Sequence, residues 1–343
     1  MAQRATMKDI ATAAGVGVAT VDRVLNGRLR VREETARKVL EAARRVGYHA
    51  TNLIEQRLKT DLPQMRLGFV LQKQKQPFYQ ALHAEIEAAV QSSPLIRGTA
   101  VIEYAASQSP QEFADLLGKM KGRVDAVAGT AVNHTLSLEA VRSLREAGTP
   151  TFALLTDFAQ GERVNYIGLN NLKVGRMAAW MLATSARAPG KIALFVGGHR
   201  WHGHELRETG FRSYFREHAP EFEVLDTLVN LETRQLTYEA SLDLLARHKD
   251  VAGIYLAGGG MEGAIAALRE MRPPGEVSLV VNELTPDTRS ALADRYLTMV
   301  IATPLRAFCA DLVEAMAQCV LGKDAQVPSQ TFLEPTIYLP ESI

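Results

Sequence analysis

The run Ala14-Gly15-Val16-Gly17-Val18-Ala19-Thr20-Val21-Asp22-Arg23-Val24-Leu25-Asn26 constrains the fold more than any other stretch. It predicts a short helix, a turn eased by Gly15, and a second helix, because glycine accepts a positive φ at no steric cost. Thr6 is placed to cap the first helix, with Asp9 three residues on completing a capping box. Met7, Ile10, Ala11 and Ala14 then share one face at helical spacing. Val16 plugs the turn into a small core that Val21, Val24 and Leu25 continue. A third helix is predicted from about Glu33 to Val46, with Val39, Leu40 and Ala43 inward and Gly47 as its stop.

The opposite face of the second helix carries Val18, Ala19, Asp22, Arg23 and Asn26. A helix–turn–helix of this kind can lay its second helix in the DNA major groove. Arg23 is then the base reader, since a guanidinium pairs bidentately with guanine O6 and N7. Val18 and Ala19 offer apolar contact, for example to a thymine methyl, while Thr20 and Asn26 suit phosphate oxygens. Asp22 would be repelled by phosphates unless it pairs with Arg23 or accepts from a cytosine amino group. The plainer alternative is an amphipathic helix pair with a solvated charged face.

Charge distribution favours the first reading. The net charge of the 343 residues is +1, but residues 1–60 hold 12 Lys/Arg against 6 Asp/Glu, and the remainder 27 against 32. A small basic lobe on a mildly acidic body suits a nucleic-acid head and a sensor. Cys309 and Cys319, the two cysteines, fall on one predicted helix and suggest neither a disulfide framework nor a metal site. No signal-peptide pattern opens the sequence and no apolar run is long enough to span a membrane, so a cytoplasmic location without membrane association is expected.

From Arg66 the pattern alternates strand and helix, which indicates parallel sheets flanked by helices. The expected strands are Leu67–Leu71, Thr99–Tyr104, Asp125–Ala128, Thr151–Leu155, Ile192–Val196, Val224–Val229, Gly253–Leu256, Ser278–Asn282 and Leu297–Ala302, with a final strand Thr331–Tyr338. The first four would build one lobe and the next four a second, with the chain recrossing near Gly161, near Thr303 and before the final strand. Ligands of such sheets sit beyond the carboxyl ends of the strands, here a cleft between lobes. Two further patterns compete for attention. His199, His202 and His204 cluster beside Trp201 but lack a carboxylate or thiolate at helical spacing, so no metal is expected; His204 with Arg207 would instead bond a polar or anionic effector, with affinity sensitive to pH near neutrality. Gly258-Gly259-Gly260-Met261-Glu262-Gly263 fits G-x-G-x-x-G between a strand and a helix, with Glu283 about twenty residues on, the context of a dinucleotide fingerprint.

From Met7 to Tyr48 the sequence resembles the DNA-binding headpiece of the LacI family of bacterial repressors. The residues that carry the likeness are Lys8-Asp9-Ile10-Ala11, Ala14-Gly15-Val16, Ala19-Thr20-Val21, Arg23-Val24-Leu25-Asn26-Gly27, Val31, Glu33-Glu34-Thr35 and Gly47-Tyr48. Gly17, Asp22 and Arg32 depart from it, each standing where the family usually has Ser; Arg32 is no helix cap. The resemblance implies a small all-α headpiece (1–50), a hinge (51–65) and an α/β periplasmic-binding-protein-like (type I) sensor of two doubly wound parallel-sheet lobes (66–343). It implies double-stranded, pseudo-palindromic operator DNA, a small-molecule effector and a homodimer as partners, with no cofactor and no catalysis. Its DNA-binding set would be Thr6, Val18, Ala19, Thr20, Asp22, Arg23, Asn26 and Tyr48, with Leu58 of the hinge as a minor-groove wedge. Leu53 or Leu58 could equally be packing residues. The implied effector set is Phe78 and Tyr79 against a sugar-like ring, Asp157, His204, Arg207 of Arg207-x-x-Gly210-Phe211, the Gly258 loop, Glu283 and Thr303. The rival readings are a dinucleotide-sensing repressor and a dinucleotide-dependent oxidoreductase.

Overall fold

The computed structural model describes residues 5–26, 31–48, 62–322 and 329–343. The chain divides into two compact units, Met1–Met65 with Ser92–Gly98, and Arg66–Gln91 with Thr99–Ile343. In the first, three helices, α1 (Met7–Ala14), α2 (Val18–Asn26) and α3 (Glu33–Arg45), enclose a core of Ile10, Ala11, Val21, Val24, Ala36, Val39, Ala42 and Ala43. Thr6 and Asp9 form the expected capping box. Two helices stop in the same way. Val16 N–H donates to Ala11 O (3.0 Å) after Gly15 turns left-handed at φ 66°, and Tyr48 N–H donates to Ala43 O (2.9 Å) after Gly47 at φ 69°. Each is a Schellman stop, with the apolar residue past the glycine folded back on the core. Met7, expected inward, is 36% exposed. Arg32 precedes α3 with no side-chain cap bond, as its chemistry requires.

The second unit holds two sheets. The elements of its first lobe are β1 (Gln64–Gln72), α4 (Pro77–Ser92), β2 (Arg97–Ala105), α5 (Pro110–Met120), β3 (Ala126–Gly129), α6 (Thr135–Glu146), β4 (Thr151–Leu154) and β5 (Asn165–Leu169). The second lobe follows with α7 (Asn171–Ser185), β6 (Lys191–Val196), α8 (His202–His218), β7 (Glu223–Val224), β8 (Leu228–Val229), α9 (Arg234–Arg247), β9 (Val251–Leu256), α10 (Met261–Met271), β10 (Ser278–Asn282), α11 (Pro286–Ala293) and β11 (Met299–Ala302). Then α12 (Leu305–Val320) returns to the first sheet, β12 (Ser329–Leu333) joins that sheet and β13 (Thr336–Tyr338) joins the second. The strand orders are β12-β5-β4-β3-β1-β2 and β13-β11-β10-β9-β6-β7, with β8 also on β6. β13 runs antiparallel to β11, whereas β6, β9, β10 and β11 pair in parallel. Strands buried on both faces explain the near-continuous apolar runs: Ala193, Phe195, Ile254 and Leu256 pack with α9 and α10, while Ile192, Leu194 and Tyr255 pack with α7 and α8.

Three expectations are corrected. The chain leaves the first lobe at Asn170, after β5, and not near Gly161, because β5 belongs to the first sheet, between β4 and β12. Thr331–Tyr338 is two strands in different sheets; Glu334-Pro335 interrupts it, since proline supplies no ladder N–H. Val224–Val229 likewise splits into β7 and β8, which pair with opposite ends of β6. Among the described residues no helix is long and apolar enough to cross a membrane.

Candidate functional site

In the first unit, Val18, Ala19, Arg23 and Asn26 are exposed on one face of α2, Val18 at 41%. No described residue pairs with the Arg23 guanidinium. Asp22 bonds Asn26, whose Nδ2 donates to Asp22 Oδ1 at 2.5 Å, instead of pairing with Arg23. The i, i+4 spacing places these two side chains together, which neighbours in sequence on a helix cannot achieve. The pair leaves Arg23 unencumbered and gives Asp22 a donor. Thr20 is half-buried, and Thr6 uses its hydroxyl on Asp9 Oδ2 (2.7 Å). Tyr48 packs half-buried on the core. Leu58 and Leu53 lie outside the described residues.

In the second unit, the carboxyl ends of both sheets face a cavity that is partly open to solvent. The first lobe contributes Gln72, Gln76, Phe78, Tyr79, Thr130 and Thr156; the second contributes Trp201, His204, Arg207, Glu232, Gly258–Gly260, Glu262, Asn282 and Glu283. Thus Phe78, Tyr79, His204, Arg207, Gly258 and Glu283 line one cavity together. Asp157 and Thr303 do not line this cavity. Asp157 is buried against Arg163, which donates from Nε (2.5 Å) and Nη2 (2.7 Å), and it also accepts from Gln160 and Gln330. Its carboxylate is a joint of the first lobe. Thr303 instead holds Glu283, donating from N (2.9 Å) and Oγ1 (2.7 Å).

Arg207 is fixed by helix packing. Gly175 of α7 and Gly210 of α8 let the two helices touch backbone to backbone: a Cβ on Gly175 would strike Arg207 O, and one on Gly210 would strike Leu172 O. Phe211, the next residue, is fully buried and stacks on Tyr255. With its backbone so placed, Arg207 donates from Nε to Asn171 Oδ1 (2.7 Å) and from Nη1 to Ala257 O (2.5 Å), leaving Nη2 without a partner among the described residues. The glycine of Arg207-x-x-Gly210-Phe211 therefore serves proximity, and the arginine is held with one nitrogen uncommitted.

The three histidines separate in space. His199 is exposed, His202 faces Glu205, and His204 turns inward. Gly197 N–H donates to His204 Nδ1 (3.1 Å), which leaves the ring proton on Nε2, 3.6 Å from Glu232 Oε1. Burial depresses the His204 pKa to about 4, against a smaller upward pull from Glu232. The expected titration near neutrality is therefore overturned, because the ring is neutral throughout that range. Since the folded pKa lies below the unfolded value near 6.5, stability is fully present above pH 6.5 and falls as pH drops towards 4. The loss attributable to this ring reaches about 3 kcal/mol. Denaturant titrations at pH 7 and pH 4 check it: in His204→Asn, whose Oδ1 can still accept from Gly197, the pH difference should shrink by that amount. An unchanged difference refutes a buried neutral ring.

Glu232 was missed by sequence reasoning. Burial raises its carboxyl, but its neighbours, Lys73 first among them, hold it below the usual carboxylate range. Burial pushes the Glu283 and Glu262 carboxyls up. Among the described lining residues Arg207 is the one cation, beside these three carboxylates. The glycine-rich loop is also accounted for. Gly259 N–H already donates to Glu232 Oε1 (3.2 Å), Gly260 turns at φ 93°, and a Cβ on Gly263 would strike Arg234 O. A carboxylate occupies the loop where a pyrophosphate would need to sit, which disfavours the dinucleotide fingerprint. Gln72 Oε1 and Trp201 Nε1, on residues that line the cavity, are themselves buried and have no hydrogen-bond partner among the described residues.

A helix–turn–helix unit joined to a two-lobed α/β unit with an interlobe cavity is the domain arrangement of a DNA-binding regulator with a sensor domain. Residues 6–51 match the family described as bacterial regulatory proteins, lacI family, and residues 67–324 match the periplasmic binding protein domain. The chain belongs to the lacI family of bacterial transcriptional regulators. It is 28% identical over 288 residues to the HTH-type transcriptional regulator CelR of Thermobifida fusca, covering 80% of this chain and 78% of that one. It is 22% identical over 280 residues to the sucrose operon repressor of Pediococcus pentosaceus, covering 78% and 81%. The fold is shared with an ABC transporter solute binding protein from Agrobacterium vitis bound with α-D-tagatopyranose: TM-score 0.74, 20% identity, 81% of this chain and 95% of that one.

Proposed function

We propose that the protein is a homodimeric repressor whose grip on a pseudo-palindromic operator is set by a neutral, sugar-like molecule bound between the sensor lobes. The carrying observation is the Arg207 guanidinium, whose Nη2 stays uncommitted in a cavity wall that also includes Glu262 and Glu283, a set of donors and acceptors suited to hydroxyl groups. Glu262 and Glu283 beside that one cation, with Glu232 already paired to Lys73, disfavour an anionic effector, which narrows the earlier expectation of a polar or anionic one. Phe78 supplies an apolar edge, and Glu283, held by Thr303, accepts ligand hydroxyls. The sucrose repressor and the tagatose-bound relative support the sugar class. The relatives' regulatory names support binding without turnover.

In the headpiece, Arg23 reads a base, Val18 and Ala19 make apolar base contacts, and Thr6, Thr20, Asn26 and Tyr48 position the backbone, with Leu58 the wedge. Selection of bound genomic fragments, followed by titration of the best site with a panel of sugars and sugar acids, tests the whole reading. A sequence-specific site released or tightened by a neutral sugar is expected; response to sugar acids alone overturns the effector class. Arg23→Ala should weaken that site by about 1–3 kcal/mol and relax one base position. Equal losses on random DNA would show that Arg23 touches only phosphate.

A further inference from the structure

The first lobe reaches across the cleft to one short elbow of the second. Lys73, just past β1, donates from Nζ to Leu231 O (3.2 Å), Glu232 O (3.1 Å) and Glu232 Oε2 (2.9 Å). Gln76 Nε2 donates to Glu232 O and Gln108 Nε2 to Leu231 O, each at 3.4 Å. Lys73, Leu231 and Glu232 all adopt left-handed backbone, at φ 49°, 48° and 53°, a conformation L side chains resist and surrounding contacts must hold. The elbow is tied inward as well. Asn230 Oδ1 accepts from Glu232 N–H (2.8 Å), Asn230 Nδ2 donates to Gly259 O (2.9 Å), and Glu232 Oε1 accepts from Gly259 N–H. One segment therefore joins the opposite lobe to the cavity's glycine-rich wall. Other bonds between the lobes, Asn133 N–H to Arg200 O and Gly203 N–H to Thr156 Oγ1, are neutral and independent of Lys73.

We propose that Lys73 is a positioning residue: its ion pair with Glu232 clasps the two lobes, sets the fraction of closed sensor before effector arrives, and holds the Glu232 carboxylate on the cavity wall. Its regulatory meaning rests on the effector reading above; its effect on closure does not. Neither Lys73 Nζ nor the Leu231 carbonyl can keep these distances when the lobes part, so the clasp exists only in the closed arrangement. A molecule that binds the closed cleft then finds it partly prepaid by the clasp, and loss of Lys73 lowers apparent affinity without removing a contact to Arg207.

The test uses the full chain with spin labels at Lys119→Cys and Lys249→Cys, one exposed position in each lobe, in a Cys319→Ser background. Interlobe distances are measured without sugar in wild type, in Lys73→Met and Glu232→Gln, and in the swap Lys73→Glu with Glu232→Lys. The expected result is a shift towards longer distances in both single variants and its partial reversal in the swap. Sucrose and D-tagatose then serve as affinity probes, with a roughly 10-fold loss expected in Lys73→Met for whichever binds. Distance distributions identical to wild type in both single variants overturn the clasp, whatever the sugars do. A distance shift with neither probe nor any other neutral sugar binding the wild type upholds the clasp and counts against the effector reading alone.

Discussion

Gly175→Ala is expected to destabilise the sensor by about 3 kcal/mol and to weaken effector binding with it. The added Cβ lands on the Arg207 carbonyl, a backbone atom in the middle of α8, so relief requires two helices to separate. Separation in turn moves Arg207 from Asn171 and Ala257. Gly118→Ala is the matched control. Gly118 lies inside α5 with open space around the new Cβ, and alanine's better helix propensity should stabilise by up to about 1 kcal/mol. Denaturant unfolding of both variants decides the matter: equal effects would mean that Gly175 is not a packing glycine.

Arg207→Ala is expected to weaken effector binding by roughly 100-fold, about 3 kcal/mol, and to leave the headpiece core untouched. The change removes a charge-assisted donor from the cavity and orphans Asn171 Oδ1 and Ala257 O, both buried acceptors of its guanidinium. Arg207→Lys should recover little, because one ammonium cannot span Asn171, Ala257 and a ligand as a planar fork does. In cells both variants should hold the operator with the same affinity as wild type yet ignore the effector. Calorimetric titration of the sugar found in the panel, beside operator binding without it, provides both readings; wild-type effector affinity in Arg207→Ala would remove Arg207 from the site.

The headpiece was legible because every device in it is local: the capping box, the Schellman glycines and the apolar stripes all act within six residues. Most strands were legible for a related reason, since parallel strands buried on both faces spell themselves as apolar runs. β5 escaped because Asn165-Tyr166-Ile167-Gly168-Leu169 mixes a polar start, a tyrosine and a glycine, and its pairing with β4 and β12 is what makes it a strand. The site was half legible. Glu283 stands at a strand end and Arg207 inside the helix after a strand, both in segments that the alternating pattern locates. Asp157 stood at such an end too, and only folding reveals that Arg163 takes its carboxylate. Lys73 and Glu232 are 159 residues apart, and neither sits in any motif; their meeting is a property of lobe closure alone.

The split of Ser329–Tyr338 between two sheets has a consequence for synthesis. β12 lies beside β5 at the edge of one sheet and β13 beside β11 at the edge of the other, so neither sheet is complete until this segment has left the ribosome. The headpiece, whose core is closed by residue 48, is finished nearly three hundred residues earlier. At elongation rates of about 5–20 residues per second, the head exists for roughly fifteen seconds or more without a finished sensor. A message broken late, or a ribosome stalled before Ser329, would release a folded DNA-binding head attached to a sensor with two raw edges.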